Sequence, residues 1–435
     1  MTDILDHVDG GLLAPARPEL AGLVHWNGGG GRPIHRWFRY REGFSPALIA
    51  ALGLDGRILD PFCGSGSILV GAAEQGRAAT GIDVNPLAVF VARVKLSPLG
   101  PADVAAVAAF LDRFEADVAG ADPWPVPALR IASKVFEPRI LDAVLRLRTL
   151  IEERAVTPPR RNFLLLAWLA TLQPVGSYFK EGNGIKYRSR QRRPGRYVAR
   201  PDGQWQLARF GPDQAAFVWA AFRRQLAGML ADLPAWRTGR WGDQQVIEGD
   251  ALEALAPQPP ASFDSVVFSP PYLNRFDYFE SQKVELWFGG FVDSYAGLRA
   301  LRKRSLRSHL GAALDRSVMA LPEVEALVER LDPGSYAVRM RVPVLIRGYF
   351  SDMAAVLGHC RRVLAPGGRC CVVVGNSAYG GVIIPTDALL ARLGLAAGFG
   401  EAAVVPVRHL TVAPQQRSDL RGREGRMRES VVVLW

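Results

Sequence analysis

Two transitions from strand to helix near the start of the chain constrain its fold most. An apolar run at residues 57–60 ends in a glycine-rich turn, and helical composition follows at residues 68–75. A second apolar run at residues 78–83 leads into a helical segment at residues 86–95. Strands that alternate with helices form a parallel sheet covered by helices on both faces. The sequence therefore predicts an α/β fold built on a doubly wound sheet.

The strand pattern stops after the second helix and resumes much later. Residues 99–243 have mainly helical composition with a basic centre, and they read as a large insertion. A smaller insertion is predicted at about residues 291–343. The two parts of the sheet would then come from residues 1–98 and 244–435. Further strands are predicted at residues 246–250, 265–268, 370–374, 402–407 and 431–434, which brings the sheet to seven strands with the last pieces antiparallel.

Charge and cysteine content limit the class of protein. The chain of 435 residues has a formal net charge of +11, and such a balance favours a polyanionic partner, for which nucleic acid is the usual choice. None of its four cysteines forms a CxxC pair or lies at zinc-ligand spacing from a histidine, so we expect neither a metal site nor disulfides. The N-terminus lacks a signal pattern, and the longest apolar run, residues 163–172, is too short for a membrane span. These features predict a cytoplasmic protein without membrane contact.

The glycine-rich turn, residues 60–66, lies where the first strand meets the first helix. Its glycines allow positive φ and a close approach of backbone to ligand, and the helix N-terminus presents free N–H groups. A dinucleotide fingerprint would place a third glycine at position 69, which is Leu69, so an NAD site is disfavoured. The predicted cofactor-binding residues of this turn are Asp60, Pro61, Phe62, Cys63, Gly64 and Gly66.

Two acidic residues follow the next strands. Asp83 lies 19 residues beyond Gly64, and an acid at that place accepts both ribose hydroxyls of an adenosine-containing cofactor. Asp250 ends the third strand and is predicted to accept a hydrogen bond from the adenine amino group. Val84 and Ala251 join them in the predicted cofactor site. The alternative for both acids is the simpler role of a helix N-cap.

A Ser-Pro-Pro-Tyr turn, residues 269–272, ends the fourth strand. The two prolines fix φ and donate no hydrogen bond, so the flanking carbonyls are held as acceptors. An exocyclic amino group is a poor nucleophile until acceptors draw both N–H bonds away from the ring plane. We assign Ser269 Oγ and the Pro270 carbonyl as these acceptors, Pro271 as the rigid support and Tyr272 as the stacking platform for a flipped base.

These motifs resemble the DNA methyltransferases that modify exocyclic amines. The turn at 60–66 resembles their cofactor motif, residues 81–86 their acidic motif and residues 269–272 their catalytic tetrapeptide. Residues 35–46, with Tyr40, resemble their cofactor-closing segment, while residues 364–368 and 428–430 are similar to further family segments.

The resemblance implies a class I methyltransferase-like fold and S-adenosyl-L-methionine as cofactor. Residues 1–98 would form the cofactor-binding half, residues 99–243 the DNA-recognition region and residues 244–435 the catalytic half. Serine at the first position of the tetrapeptide is usual for N4-cytosine enzymes, so transfer to N4 of a flipped-out cytosine in double-stranded DNA is predicted. A cognate restriction endonuclease is a candidate second partner.

Several alternatives stay open at this point. N6-adenine in DNA and amino groups in RNA need the same acceptor geometry, and a DNA-binding regulator could retain the fold without turnover. Carbon-5 methylation is disfavoured because it needs a cysteine after a proline, which the chain lacks. Methylation of protein glutamine would favour asparagine in place of Ser269.

The basic centre of the large insertion is the predicted DNA contact. Aromatic residues and glycines interleave with its cations, which indicates a loop or hairpin that contacts phosphates and reads base edges. Two other arginine clusters, at residues 302–307 and 417–428, could flank the DNA or form ordinary surface. The predicted DNA-binding residues are Lys180, Lys186, Arg188, Arg190, Arg192, Arg193 and Arg196.

Overall fold

A seven-stranded mixed sheet forms the centre of the computed structural model. Its strands are β1 Ile58–Asp60, β2 Ala79–Asp83, β3 Gln244–Glu248, β4 Phe263–Phe268, β5 Leu364–Gly375, β6 Ala402–His409 and β7 Arg428–Leu434. Their order in the sheet is β6-β7-β5-β4-β1-β2-β3. Strands β1 to β5 run parallel, and β7 runs antiparallel to both of its neighbours. This order confirms the predicted class I methyltransferase-like fold.

The structure describes residues 4–25, 31–40, 43–181, 184–193, 196–199, 204–238, 241–412 and 418–435. For residues 191–193 and 196–199 it describes the backbone. All seven strands occur where the sequence predicts them, although β5 begins at Leu364 instead of Cys370.

Both faces of the sheet are buried, because successive side chains of a strand point to opposite faces. Ile58 and Val267 belong to the hydrophobic cluster on one face, whereas Leu59 and Val266 belong to the cluster on the other face. Each side chain of this size stabilises the fold by about 1.5–3 kcal/mol when it is fully buried. The strands therefore read as short continuous apolar runs.

Helices cover the two faces. Those of the large insertion bury Phe163 and Phe222 in the same cluster as Ile58, so the insertion shares a core with one face of the sheet. The α-helices are Ile4–Asp9, Leu48–Ala51, Ser67–Glu74, Pro86–Leu96, Pro101–Val118, Ala132–Val135, Pro138–Arg154, Pro158–Val175, Gln204–Phe210, Gln214–Asp232, Ala251–Leu255, Tyr278–Ser281, Lys283–Phe288, Tyr295–Arg304, Pro322–Val328, Tyr336–Arg339, Val342–Val363 and Thr386–Ala396.

The basic centre of the insertion forms two antiparallel hairpins. Tyr178–Glu181 pairs with Gly184–Tyr187, and Arg190–Arg193 pairs with Arg196–Ala199. A third hairpin, Ser377–Tyr379 with Val382–Ile384, follows β5. Within the described ranges, no single helix is long and apolar enough for a membrane span; Pro86–Leu96 and Pro101–Val118 pass only as a pair bent by 112°.

Candidate active site

The motifs predicted from the sequence meet in one cavity at the carboxyl edge of β1 to β4. We call it the central cavity, and its volume is about 330 Å³. The carboxyl ends of parallel strands are where α/β folds bind ligands. Asp60, Cys63 and Gly66 lie behind its wall. The predicted residues that line it are Tyr40, Pro61, Phe62, Gly64, Asp83, Val84, Asp250, Ala251, Ser269, Pro270, Pro271 and Tyr272.

The glycine-rich turn leaves no room for a side chain at Gly64. Its φ is +51°, and a Cβ there would lie 2.8 Å from Cε1 of Tyr40. The Tyr40 ring therefore lies directly against the turn, as expected of a segment that closes over a ligand. Gly66, with φ of +78°, leads into the helix Ser67–Glu74, whose N-terminus begins beside the cavity.

Asp60 and Cys63 shape this turn from behind. Asp60 is buried and accepts a hydrogen bond of 3.0 Å from the Phe62 amide. The Cys63 Sγ lies 2.8 Å from the place where Gly81 would carry a Cβ. Burial, with Asp83 and Asp60 nearby, raises the pKa of the Cys63 thiol well above its ordinary value. This thiol packs against β2 in its neutral form and is unsuited to attack.

Asp83 both braces the turn and faces the cavity. Its Oδ2 accepts from the Gly64 amide and its Oδ1 from the Asn85 amide, each at 2.8 Å. Burial raises the pKa of Asp83 to about 6. Each carboxylate oxygen has two lone pairs, so one acceptor position on each remains after the backbone bonds. A diol fits these two positions.

Asp250 caps the helix Ala251–Leu255 through a 2.8 Å bond from the Leu252 amide to Oδ1. The N-cap that the sequence left as an alternative is therefore present. The same side chain also lines the cavity, and its Oδ2 lies 3.9 Å from Nη1 of Arg316. Capping and ligand binding are thus compatible at this position.

The Ser-Pro-Pro-Tyr turn is connected to the last strand of the sheet. The Tyr272 hydroxyl donates to Oε1 of Glu429 at 2.8 Å. Burial and the Glu429 carboxylate raise the pKa of Tyr272 well above its ordinary value. Among the described residues, none donates a backbone hydrogen bond to the Pro270 carbonyl. The two acceptors predicted from the sequence therefore lie at the cavity wall.

The smaller insertion contributes a wall of the central cavity that the sequence did not predict. The end of the helix Tyr295–Arg304 and the chain that follows it line the cavity, and no sequence motif marks them. Glu429 and Arg408 from the last two strands were also without a predicted role, although residues 428–430 are similar to a family segment. The residues of the wall from the smaller insertion are Arg304, Ser305, Leu306, Ser308, His309 and Arg316.

Ser305, His309 and Asp277 lie together, but they do not form a nucleophilic triad. The His309 Nδ1 accepts from the Gly311 amide at 3.0 Å, and burial lowers the pKa of His309. The neutral ring thus carries its hydrogen on Nε2, 3.0 Å from Ser305 Oγ. The serine hydroxyl itself donates to the Arg302 carbonyl at 2.7 Å. The imidazole consequently donates to the serine and cannot act as its base.

The structure places the predicted DNA-binding residues unevenly. Lys180 forms a 2.9 Å ion pair with Glu285, which is 2% exposed. Its charge holds the first hairpin on the body of the protein. The Arg188 guanidinium lies 5.6 Å over the Phe179 ring. Lys186 is half-buried and Arg190 is exposed, while the side chains of Arg192, Arg193 and Arg196 lie outside the described residues.

The two other arginine clusters are partly engaged in ion pairs. Arg307 is buried against Asp352, and Arg302 pairs with Asp277. Arg428 lies buried between Asp9 and Asp387. These three side chains stabilise the fold and are not available for contact with DNA. Arg417 of the second cluster lies outside the described residues.

The order of the strands in the sheet is that of a class I methyltransferase-like fold. No protein-family model matches the chain. It is similar to two proteins named Type II methyltransferase M.AvaI, from Nostoc sp. and Anabaena variabilis, with 24% identity across 87% of this chain and 81% of each relative. It is also similar to Type II methyltransferase M.BsoBI from Geobacillus stearothermophilus, with 25% identity across 94% of this chain and 87% of that relative.

No group of three or more histidine, cysteine, aspartate or glutamate side chains stands at metal-binding geometry in the part of the chain that the structure describes.

Proposed function

We propose that this chain transfers a methyl group from S-adenosyl-L-methionine to the exocyclic N4 of a cytosine that is flipped out of double-stranded DNA. One observation carries the proposal. A single cavity brings the glycine-rich turn and Asp83 together with Ser269 and Tyr272. The relatives named Type II methyltransferases support site-specific methylation of DNA.

The residues of the cavity fit the proposed cofactor. Asp83 has acceptor positions for the two ribose hydroxyls, and Asp250 has one for the adenine amino group. Gly64 lets a ligand approach the backbone under the Tyr40 ring. Phe62 and Val84 supply apolar wall. When bound, S-adenosyl-L-methionine would supply an electrophilic methyl group.

The protein's own part is to prepare the amino group. Ser269 Oγ and the Pro270 carbonyl accept its two N–H bonds, which frees the nitrogen lone pair for attack. Pro271 and Pro270 hold these acceptors rigidly. Stacking on Tyr272 returns roughly 1–3 kcal/mol of the few kcal/mol that flipping costs. Positioning of the two reactants then supplies much of the rate.

Cytosine is the finer part of the proposal, and it depends on serine at position 269. A carboxylate accepts hydrogen bonds about twice as strongly as a neutral group, so a serine site needs help from its surroundings. N6-adenine in DNA is the second candidate, because the acceptor geometry serves both bases. A cognate restriction endonuclease stays a prediction from the family resemblance.

The DNA contact is proposed for the basic hairpins. Arg190 is exposed at the start of the second hairpin, and the backbone brings Arg192 opposite Tyr197 and Arg193 opposite Arg196. A hairpin with this concentration of basic residues suits contact with several phosphates.

One experiment separates the alternatives. The chain is incubated with S-adenosyl-L-methionine and plasmid DNA, the DNA is digested to nucleosides, and the methylated base is identified by mass spectrometry. N4-methylcytosine is expected, and it should disappear with Ser269→Ala while binding of the cofactor is kept. N6-methyladenine would replace the cytosine assignment. Unmodified DNA beside modified RNA, or no product with intact DNA binding, would overturn the proposal.

A further inference from the structure

The segment that follows the Ser-Pro-Pro-Tyr turn spans the edge of the sheet where ligands bind. We call residues 273–282 the linking segment. It begins directly after the turn at the end of β4, and its last residue, Gln282, contacts Asn85, which lies two residues beyond the end of β2. Because β1 lies between β4 and β2, the segment reaches past β1. Its side chains that line the central cavity are Asn274, Phe276, Tyr278 and Phe279.

The contact between Gln282 and Asn85 is a buried hydrogen bond of defined direction. Asn85 Nδ2 donates to Gln282 Oε1 at 2.7 Å, and the two residues are 3% and 4% exposed. Asn85 Oδ1 accepts from the Leu87 amide at 3.1 Å and so caps the helix Pro86–Leu96. Since that amide can only donate, the Asn85 oxygen must face Leu87 and its NH2 group must face Gln282.

Asn85 also contacts the proposed ribose acceptor. Its backbone amide donates to Oδ1 of Asp83 at 2.8 Å, and Oδ2 of the same carboxylate accepts from the Gly64 amide. Hydrogen bonds therefore connect the glycine-rich turn and Asp83, through Asn85, with the linking segment. That segment is continuous in the chain with the turn that carries Ser269. The cofactor part and the catalytic part of the cavity are thus joined at Asn85 and Gln282.

Resting on the amino-group methylation proposed above, we propose that Asn85 and Gln282 are positioning residues for methyl transfer. They set the distance between Asp83, which would hold the cofactor, and Ser269, which would hold the target amino group. Transfer needs reacting atoms about 3–3.5 Å apart in a fixed orientation, and a displacement of about 1 Å can slow such a step by about 100-fold. A rigid connection between the two parts of the site therefore raises the rate without adding a contact to the reacting atoms.

Two other attachments keep the linking segment folded when its bond to Asn85 is removed. Its start is continuous with the Ser-Pro-Pro-Tyr turn, and its end leads into the helix Lys283–Phe288. In that helix, Glu285 accepts from Lys180 of the first hairpin at 2.9 Å. Loss of the bond should therefore leave the segment on the body of the protein and let it shift relative to Asp83.

The first test measures single-turnover methylation at saturating cofactor and DNA. Asn85→Ser keeps an oxygen that caps the helix but is too short to reach Gln282, and Gln282→Leu removes the acceptor at similar volume. We expect each rate to fall by about 100-fold. The dissociation constant of S-adenosyl-L-homocysteine, measured by calorimetry, should stay at the wild-type value, because Asp83 keeps its backbone hydrogen bonds.

Two comparisons separate positioning from a purely structural role. Gln282→Glu keeps an acceptor oxygen in either protonation state and should recover most of the rate that Gln282→Leu loses. The variant with both Asn85→Ser and Gln282→Leu should be no slower than the slower single variant, since both changes remove one bond. The control is Thr157→Val, which removes a 2.8 Å hydrogen bond to Asp103 within the large insertion. It should lower the thermal midpoint and keep the wild-type rate.

A further measurement does not depend on turnover. The probe is a DNA duplex in which the amino group of the target base is joined by a short linker to the 5′ carbon of adenosine, so that both ligands are held at a fixed distance. Sequencing of the methylated plasmid identifies the target base. The wild-type chain should bind this adduct more tightly than the duplex alone. Asn85→Ser and Gln282→Leu should lose most of that gain and bind the duplex alone as the wild type does.

Three outcomes overturn the inference: a wild-type rate for both single variants, losses that multiply in the double variant, or a gain from the adduct that both single variants keep. If Gln282→Leu does not fold, Asn85→Ser decides in its place, because it removes the donor of the same bond and keeps the helix cap. A wild-type chain that methylates no amino group would instead overturn the proposed function, so the two failures are distinguishable.

Discussion

Asp232 connects the large insertion to the segment that carries Tyr40. It ends the helix Gln214–Asp232 and is 3% exposed. Its carboxylate accepts from the Ile34 amide at 3.1 Å and from Nε1 of Trp37 at 3.0 Å, and it pairs with the Arg36 guanidinium. Ile34 has φ of +65°, which is a strained conformation for a β-branched residue. We predict that Asp232→Ala releases this segment.

The magnitude follows from the groups left behind. Two buried N–H donors lose their acceptor, and each loss lowers the free energy of unfolding by about 1–3 kcal/mol. The Arg36 side chain is 45% exposed, so its ion pair adds little, about 0–1 kcal/mol. Because water that enters the site can hydrogen-bond one of these donors, we expect the free energy of unfolding to fall by about 3 kcal/mol in total. The thermal midpoint should fall by roughly 3–6 °C, because the shift per kcal/mol is smaller in long chains.

The assay combines thermal unfolding with calorimetry of S-adenosyl-L-methionine binding. Tyr40 lies against Gly64, so release of the segment should also weaken cofactor binding. The dissociation constant should rise about tenfold for each 1.4 kcal/mol of free energy that is needed to order the segment when the cofactor binds. The control is Asp213→Ala, which removes the N-cap of the same helix without touching residues 31–40. A wild-type thermal midpoint for Asp232→Ala would refute the idea that Asp232 holds residues 34–37 in place. A lower midpoint with unchanged affinity would refute the link to Tyr40.

Three further predictions concern the cofactor turn and the DNA contact. Gly64→Ala should abolish cofactor binding, because its Cβ would lie 2.8 Å from the Tyr40 ring; calorimetry measures the binding. Burial raises the pKa of Asp83 to about 6, so cofactor affinity should weaken as the pH falls through that value and protonates the acceptor. Asp83→Asn should bind weakly at every pH. The third prediction replaces Arg190, Arg192 and Arg193 by glutamine. The slope of log K for DNA binding against log salt concentration should become shallower by close to one unit for each phosphate that is no longer neutralised. An unchanged slope would place the DNA elsewhere.

The sheet was largely predictable because its strands are short continuous apolar runs that end in turn residues. Val266 and Val267 are both buried, one on each face, and such a run has no competing helical period. The start of β5 was less predictable. Residues 364–369 contain proline and glycines that read as a loop, yet Phe263 and Ser265 of β4 pair with Leu364 and Arg369 across a register shift. Pairing with a neighbour decided this boundary.

Some residues of the candidate site were predictable from the sequence and others were not. Asp83 and Ser269 could be found because each lies at the end of a strand, and strand ends of a parallel sheet converge. His309 and Glu429 could not be found, since the first lies on an irregular segment and the second on a strand at the far end of the chain. For Cys63, the neutral buried thiol agrees with a packing role.

The sequence by itself determined the α/β class, the edge of the sheet where ligands bind and the residue types that meet there, because local patterns encode strand ends and turns. Only the tertiary structure decided which charges are available for function. Lys180 and Arg428 look alike in the sequence to Arg190, but buried carboxylates occupy the first two. Only the tertiary structure, too, brings Glu429 to Tyr272, 157 residues apart in the chain. Such pairings depend on the order of strands in the sheet, which no local pattern specifies.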